Sequence, residues 1–424
     1  MNVAFKTVGC RLNQAETAAM RAGFEAAGYQ TVESVLRADV VVIHTCAITD
    51  TAERNCIRIS RSAKRRQPPP IVVLAGCAVQ VSHPRLLQNA AADLLVGQKD
   101  KYNIPALIAA RHRAAPLLAP PDSARRAPRF TTTRAIIKAQ DGCDFRCAYC
   151  VVPAARGAPS SRPLTDIIEE VRRVTGQGFR EVVLTGANLG CYSDGRNTLV
   201  HLVREVESIP SVSRIRLSSI ELSTVERNII DHMAESAKLC RHLHIPLQSG
   251  DDRTLAAMGR RYTARQYQQA VEYALARMPL LGLGTDLIMG FPGEDQASFE
   301  NTLRLVRGIP FSNLHVFPYS ARPGTRAAGL PGQVPDREKK RRSAALLTLG
   351  KEKRAAFAAQ FIGRPVTVLL ENPASPRHGH GWTGEYIESE VAGNNLYPNQ
   401  LVTFRPESLS GTTLIGRVDP ASGA

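Results

Sequence analysis

Ala135-Ile-Ile-Lys-Ala-Gln-Asp-Gly-Cys-Asp-Phe-Arg-Cys-Ala-Tyr-Cys150 is a short apolar strand running straight into three thiols at the spacing CxxxCxxC. Cys143, Cys147 and Cys150 converge on a partner that takes three sulfurs from one tight loop. A tetrahedral zinc ion needs a fourth ligand close by, and neither His nor Cys follows before Cys191. A four-iron cluster with one open iron suits the spacing better. A loop that leaves the end of a strand is also where a β/α barrel carries its first active-site residues.

Downstream, five more apolar runs alternate with helical stretches: Glu181–Thr185, Arg214–Ser218, Leu243–Leu247, Gly284–Met289 and Leu314–Phe317. With Ala135–Ala139 they make six strands, too few for a closed eight-stranded barrel. The pattern predicts a partial, open (β/α)6 barrel, active at its strand C-termini and open at the side to a large substrate. Gly290-Phe-Pro-Gly-Glu294 lacks the spacing and the Lys of a phosphate loop and reads as a turn.

Upstream, the β-branched runs Val3–Val8, Val40–Ile43 and Ile71–Leu74 flank the helical stretch Gln14–Ala27 and predict a doubly wound parallel-sheet domain. A cysteine follows each strand: Gly9-Cys10, Thr45-Cys46 and Gly76-Cys77. Parallel strands bring their C-terminal ends to one sheet edge, where open α/β sheets bind ligands. Cys10, Cys46 and Cys77 are therefore expected to form a second three-thiolate site, with Gly9 and Gly76 letting backbone pass close to a cluster. Cys56, Cys191 and Cys240 share no pattern and read as structural.

The 54 Lys and Arg residues outnumber the 38 Asp and Glu, leaving a net charge of +16, which favours a polyanionic partner. Basic residues concentrate in 54–66, 111–134 and 337–354. Nine cysteines spread through 424 residues are not a disulfide scaffold. No apolar run reaches the roughly 18 residues of a membrane helix, and the opening residues read as a strand, so no membrane partner and a cytoplasmic location are expected. The α/β reading divides the chain into an N-terminal domain (1–115), a Pro- and Arg-rich linker (116–133), the barrel (134–330), a basic helical connector (331–360) softened at Gly350, and a small all-β barrel (361–424). In the last, strands are predicted at Val366–Leu370, Gly384–Ile387 and Leu401–Phe404. From Phe357 onward four Arg and no Lys face six acidic residues, so this barrel is slightly acidic.

The run Gln140–Cys150, continued by Val151-Val-Pro153 and Arg156-Gly157, resembles the cluster loop of the radical S-adenosylmethionine (SAM) superfamily, and more narrowly that of its methylthiotransferases. His244-Ile-Pro-Leu-Gln-Ser-Gly250, Thr285–Glu294 and His315–Thr325 extend the resemblance over essentially the whole chain. It implies two [4Fe-4S] clusters, on Cys143, Cys147 and Cys150 and on Cys10, Cys46 and Cys77, with SAM as both methyl donor and radical source. It places SAM near Tyr149, Thr185, Gly186, Ser218, Gln248 and Asp286, and the C-terminal barrel, with Gly381-Trp382 and Gly384-Glu-Tyr386, resembles a TRAM domain. An external electron donor and a sulfur source are implied as further partners. Leu184–Gly190 and Arg216–Glu221 look most like the branch acting on threonylcarbamoyladenosine of tRNA. Methylthiolation of isopentenyladenosine, a radical SAM enzyme of another reaction type, and a non-enzymatic iron-sulfur protein are the alternatives.

Overall fold

The computed structural model describes residues 1–81, 84–111, 128, 130–371 and 375–419. They form two compact units. The first comprises Met1–Thr131, Ile136–Ser160 and Ser320–Ala328, and the second Thr132–Ala135, Ser161–Tyr319 and Gly329–Ala424. Most of the predicted linker lies outside the described residues.

The first unit is built on a five-stranded parallel sheet: β1 (Asn2–Thr7), β2 (Gln30–Thr31), β3 (Val40–Thr45), β4 (Ile71–Gly76) and β5 (Leu94–Val96), in the order β2-β1-β3-β4-β5. Its alternation is visible in the packing. Val41, Ile43, Val72 and Leu74 enter one apolar cluster, while Val40, Val42, Val73 and Ala75 enter another on the opposite face. Both faces are buried, as a doubly wound sheet requires. Helix Arg11–Ala26 places Phe24 edge-on to Phe5 at 5.4 Å between ring centroids. Helix Asp50–Lys64 opens with the Thr49 hydroxyl accepting from the Ala52 N–H and with Asp50 and Glu53 in its first turn. The short edge strands β2 and β5 are not anticipated from sequence, having too few residues to show a period.

In chain order β6 (Arg134–Lys138), β7 (Gln140–Asp141) and β8 (Ser160–Ser161) flank the cysteine loop. The second unit then carries β9 (Glu181–Thr185), β10 (Arg214–Leu217), β11 (His242–His244), β12 (Gly282–Met289) and β13 (Asn313–Pro318). β9 and β10 pair in parallel with Arg214 opposite Glu181, and β11, β12 and β13 form a parallel sheet. A bridge between Ile215 and Leu239 joins β10 to the segment leading into β11.

Helix Asp336–Ala359 runs unbroken through Gly350, where the Leu314 side chain packs so closely that an added Cβ would sit 3.2 Å from it. β14 (Val366–Leu370), β15 (His378–Thr383), β16 (Glu388–Ala392), β17 (Leu401–Ser410) and β18 (Thr413–Val418) close into a barrel of order β14-β15-β16-β18-β17. The expected strand at Gly384–Ile387 is instead the turn joining β15 and β16, with Tyr386 in the left-handed region at φ 69°. Its aromatic and β-branched residues mimic a strand, but the Tyr386 ring is used for stacking on Trp382, 4.8 Å between centroids.

Candidate cluster and cofactor sites

Cys10, Cys46 and Cys77 follow β1, β3 and β4, three adjacent strands of one parallel sheet, and none is in a disulfide. Gly9 and Gly76 have φ of 124° and 105°. A Cβ on Gly9 would lie 3.3 Å from Cys46 Sγ, and one on Gly76 would lie 2.6 Å from the His44 ring, so both positions need glycine. Burial pushes the Cys46 thiol up to about 12; the Ile48 N–H opposes this, and the neighbouring Cys10 and Cys77 thiols add to it. Burial likewise raises Cys77, against the pull of Arg156, and Gln98 Nε2 donates to its Sγ at 2.9 Å. Cys46 and Cys77 are buried and Cys10 is exposed, and all three are close enough for Cys10 and Cys77 to act on the Cys46 thiol.

The second triplet belongs to the same unit. Phe145 and Val152 donate their N–H groups to Cys143 Sγ and Cys150 Sγ, each at 3.4 Å. The loop closes where the Cys143 N–H donates to Gly157 O at 3.1 Å. Gly142, at φ 69°, leaves no room for a side chain, since a Cβ would fall 2.0 Å from Ala158 O. Tyr149 is half-buried within the loop.

Between the triplets lies a buried charge network that sequence reading misses. Glu16 Oε1 accepts from Arg156 Nη1 at 3.0 Å and from Lys138 Nζ at 2.7 Å, and its Oε2 takes Lys101 Nζ at 2.7 Å. Burial would raise the Glu16 carboxyl, but Lys138, Lys101 and Arg156 hold it well below the usual carboxylate range. Arg156 Nη2 also donates to Asn13 Oδ1 at 2.7 Å, and Asn13 Nδ2 donates to Val8 O and Thr45 O, which flank Gly9-Cys10 and Cys46. Arg156 ends the helix that follows Cys150, so one guanidinium ties both cysteine loops to the same carboxylate. Val151 and Ala155 join the apolar cluster that holds Cys77.

In the second unit Thr185 is buried at the end of β9, with Gly186 next to it. Ser218 follows β10; its N–H donates to Leu184 O at 3.0 Å, while its buried Oγ has no hydrogen-bond partner among the described residues. Gln248 holds φ 68°, a conformation rare outside glycine, by donating its N–H to Asp286 O at 2.8 Å and accepting from the Ile288 N–H at 2.9 Å. Asp286 stands on β12 between two imidazoles: its Oδ1 lies 3.0 Å from His244 Nε2 and 3.2 Å from His315 Nδ1. Burial opposes ionisation there, but His244 and His315 hold the carboxyl well below its usual range. Thus Thr185 and Ser218 come together at one pair of strand ends, and Gln248 and Asp286 at another. Glu221 and Arg260 form a further ion pair with both side chains largely buried, and Arg260 Nε donates to Tyr262 Oη at 3.0 Å.

Residues 137–306 match the Radical SAM superfamily and residues 2–97 the uncharacterised protein family UPF0004. The chain is 35% identical over 380 residues to "Threonylcarbamoyladenosine tRNA methylthiotransferase MtaB" of Aquifex aeolicus, covering 87% of this chain and 93% of that one. It belongs to the radical SAM tRNA methylthiotransferases. The MtaB protein of Thermotoga maritima is 33% identical, with 99% of this chain and 98% of that one covered. The "tRNA-2-methylthio-N(6)-dimethylallyladenosine synthase" of Maricaulis maris is also 33% identical, over 97% and 96%. The fold of the methylthiotransferase is shared with the radical SAM methyltransferase TsrM from Kitasatospora setae, at a TM-score of 0.59, 15% identity and coverage of 77% of this chain and 75% of that one.

Membership implies SAM and a four-iron cluster for this methylthiotransferase, and the loop Cys143–Cys150 suits the cluster: three thiols and two main-chain N–H donors aimed at sulfur, in a turn too tight for a Cβ at 142. No helix among its described residues is long and apolar enough to cross a membrane.

Proposed function

We propose that this enzyme places a methylthio group on C2 of N6-threonylcarbamoyladenosine beside the tRNA anticodon, with a second four-iron cluster on Cys10, Cys46 and Cys77. What carries the reading is the gathering of both cysteine triplets in one compact unit, tied through Arg156, Asn13 and Glu16. Bound SAM and the two clusters supply methyl, sulfur and a 5'-deoxyadenosyl radical, the last needed because an unactivated C–H carbon offers acid-base catalysis no acidic proton or leaving group.

The chain's own residues do the holding. Cys143, Cys147 and Cys150 present three sulfurs and leave the fourth position to SAM. Tyr149, Thr185, Gly186, Ser218 and Gln248 are the groups assigned to SAM, with the Ser218 hydroxyl, buried and unpaired among the described residues, offering the clearest donor to a ligand. Asp286, assigned to SAM by the same resemblance, faces His244 and His315. Arg156 and Lys101 bring positive charge toward Cys77, which favours the thiolate that a cluster requires. An external reductant and a sulfur source complete the cycle, and the excess of basic residues suits a tRNA substrate.

Mass spectrometry of tRNA nucleosides from cells lacking the protein tests the substrate. Loss of the methylthio group from threonylcarbamoyladenosine, with the isopentenyl derivative intact, is expected; the reverse pattern assigns the enzyme to the other adenosine. The second cluster is checked by iron content: about eight irons per chain in the parent and about four after Cys10, Cys46 and Cys77 are changed together to Ala. A parent carrying only about four removes the sulfur-supplying role of that triplet.

A further inference from the structure

We propose that His244, Asp286 and His315 bind one divalent transition-metal ion of the Zn2+ class, separate from either cysteine triplet, with coordination positions left open to water or another oxygen donor. Three successive strands, β11, β12 and β13, each contribute one ligand. The parallel register sets Asp286 opposite His315 and His244 opposite Gly284, so the three side chains share one face of the sheet. One donor atom from each lies within 4.8 Å of the others. Bond lengths of about 2.0–2.2 Å at a tetrahedral ion put neighbouring ligand atoms about 3.3 Å apart. The carboxylate oxygen is already 3.0 Å and 3.2 Å from the two imidazole nitrogens, within a few tenths of an ångström of that spacing.

Two features look built for ligation. At Gly284 an added Cβ would lie 2.7 Å from His244 Nδ1, so glycine lets the imidazole lie across β12 with Nε2 toward Asp286. Asn313 Nδ2 lies 2.8 Å from His315 Nε2. With its amide turned over, Asn313 accepts from Nε2–H, the tautomer whose Nδ1 lone pair is presented to a metal; such an outer partner orients a ligating histidine. Exposure rises from buried His244 through Asp286 to exposed His315, giving the site a closed floor and an open mouth. Two neutral imidazoles and one carboxylate on a single face are the donor set of sites that keep exchangeable positions.

Co2+ is the probe. Full-length enzyme with its clusters assembled, stripped of loose metal by chelator and desalted, is titrated with Co2+ and followed by visible absorption. One equivalent per chain is expected, with ligand-field bands and no intense sulfur-to-cobalt charge transfer, which separates this site from cysteine-bound cobalt. His315→Ala, at an exposed position, abolishes this spectrum at concentrations that saturate the parent. Asn313→Ala keeps the stoichiometry but weakens binding by about 10- to 100-fold. The proposal is overturned if the parent binds no Co2+, if its bands carry thiolate charge transfer, or if His315→Ala and Asp286→Asn bind as the parent does; these last results leave His244, Asp286 and His315 as a metal-free ion cluster.

Discussion

Arg156 shows how much can rest on one side chain. It is 3% exposed, and its partner Glu16 is fully buried. Losing Arg156 leaves Glu16 its other two cations, Lys138 and Lys101, but removes the charged hydrogen bonds of a buried guanidinium. Arg156→Met is therefore expected to cost about 1.5–3 kcal/mol in urea unfolding of the cluster-free protein. Arg156→Lys keeps the charge but cannot reach Asn13 and Glu16 with two forks of one planar group, so it recovers only part of that loss. An unchanged unfolding midpoint in Arg156→Met would show that the network carries no net stability. At this scale the sequence is legible only in part. The cysteines declare themselves because each follows a strand or sits in a three-thiol run. Glu16 does not, because its partner lies 140 residues away and a lone Glu in an amphipathic helix resembles any solvated carboxylate. His244, Asp286 and His315 each fall in a recognisable segment, yet their meeting depends on strand register.

Among elements, β9 and β10 illustrate how a sheet edge is joined to the next layer. Glu181 accepts from Arg214 and Arg216, which stand on β10 beside it, and these guanidinium groups also donate to Thr367 O, Trp382 O, Thr383 O and Gly384 O. Tyr386 stacks under Arg216 at 4.7 Å, and Gly282 is bare because a Cβ there would fall 2.1 Å from Glu385 O. Gly384–Ile387 turns where its composition promises a strand: the Gly384 carbonyl is taken by Arg216, the Tyr386 N–H donates to Thr383 O, and Ile387 O accepts from the Thr383 N–H, which closes the turn. Burial raises the Glu181 carboxyl, but Arg214, Arg216 and Arg134 overcome it and hold the group well below an unfolded glutamate. A depressed folded pKa gives stability that is complete above the unfolded value of about 4.3 and is lost as pH falls below it. Glu181→Gln should thus lower stability at pH 7 by about 3–5 kcal/mol and flatten the acid side of the stability curve below about pH 4.3. An acid limb as steep as the parent's would mean that other carboxylates set it.

Over the whole molecule, the positive charge is not carried by the terminal barrel. The chain carries +16, yet the last barrel holds more acidic than basic residues. Helix Asp336–Ala359, by contrast, exposes Arg337, Lys340 and Lys351. If this helix meets tRNA phosphates, Lys340→Gln with Lys351→Gln reduces the slope of log affinity against log salt by about 0.7–0.9 for each lost contact. A slope equal to the parent's puts the phosphate contacts elsewhere. The broad plan was legible because long β-branched runs mark the layers directly. The assignment of the cysteine loop to the N-terminal unit was not, since Ile136–Ser160 sits inside the barrel's stretch of sequence. The arginines of β10 have a consequence for how such chains recombine. Two buried guanidinium groups find four of their acceptors in the terminal barrel, so a chimera that exchanges residues 361–424 inherits two cations in search of carbonyls. The barrel is spliced in, and any replacement has to reproduce the Trp382–Gly384 backbone before it can contribute specificity of its own.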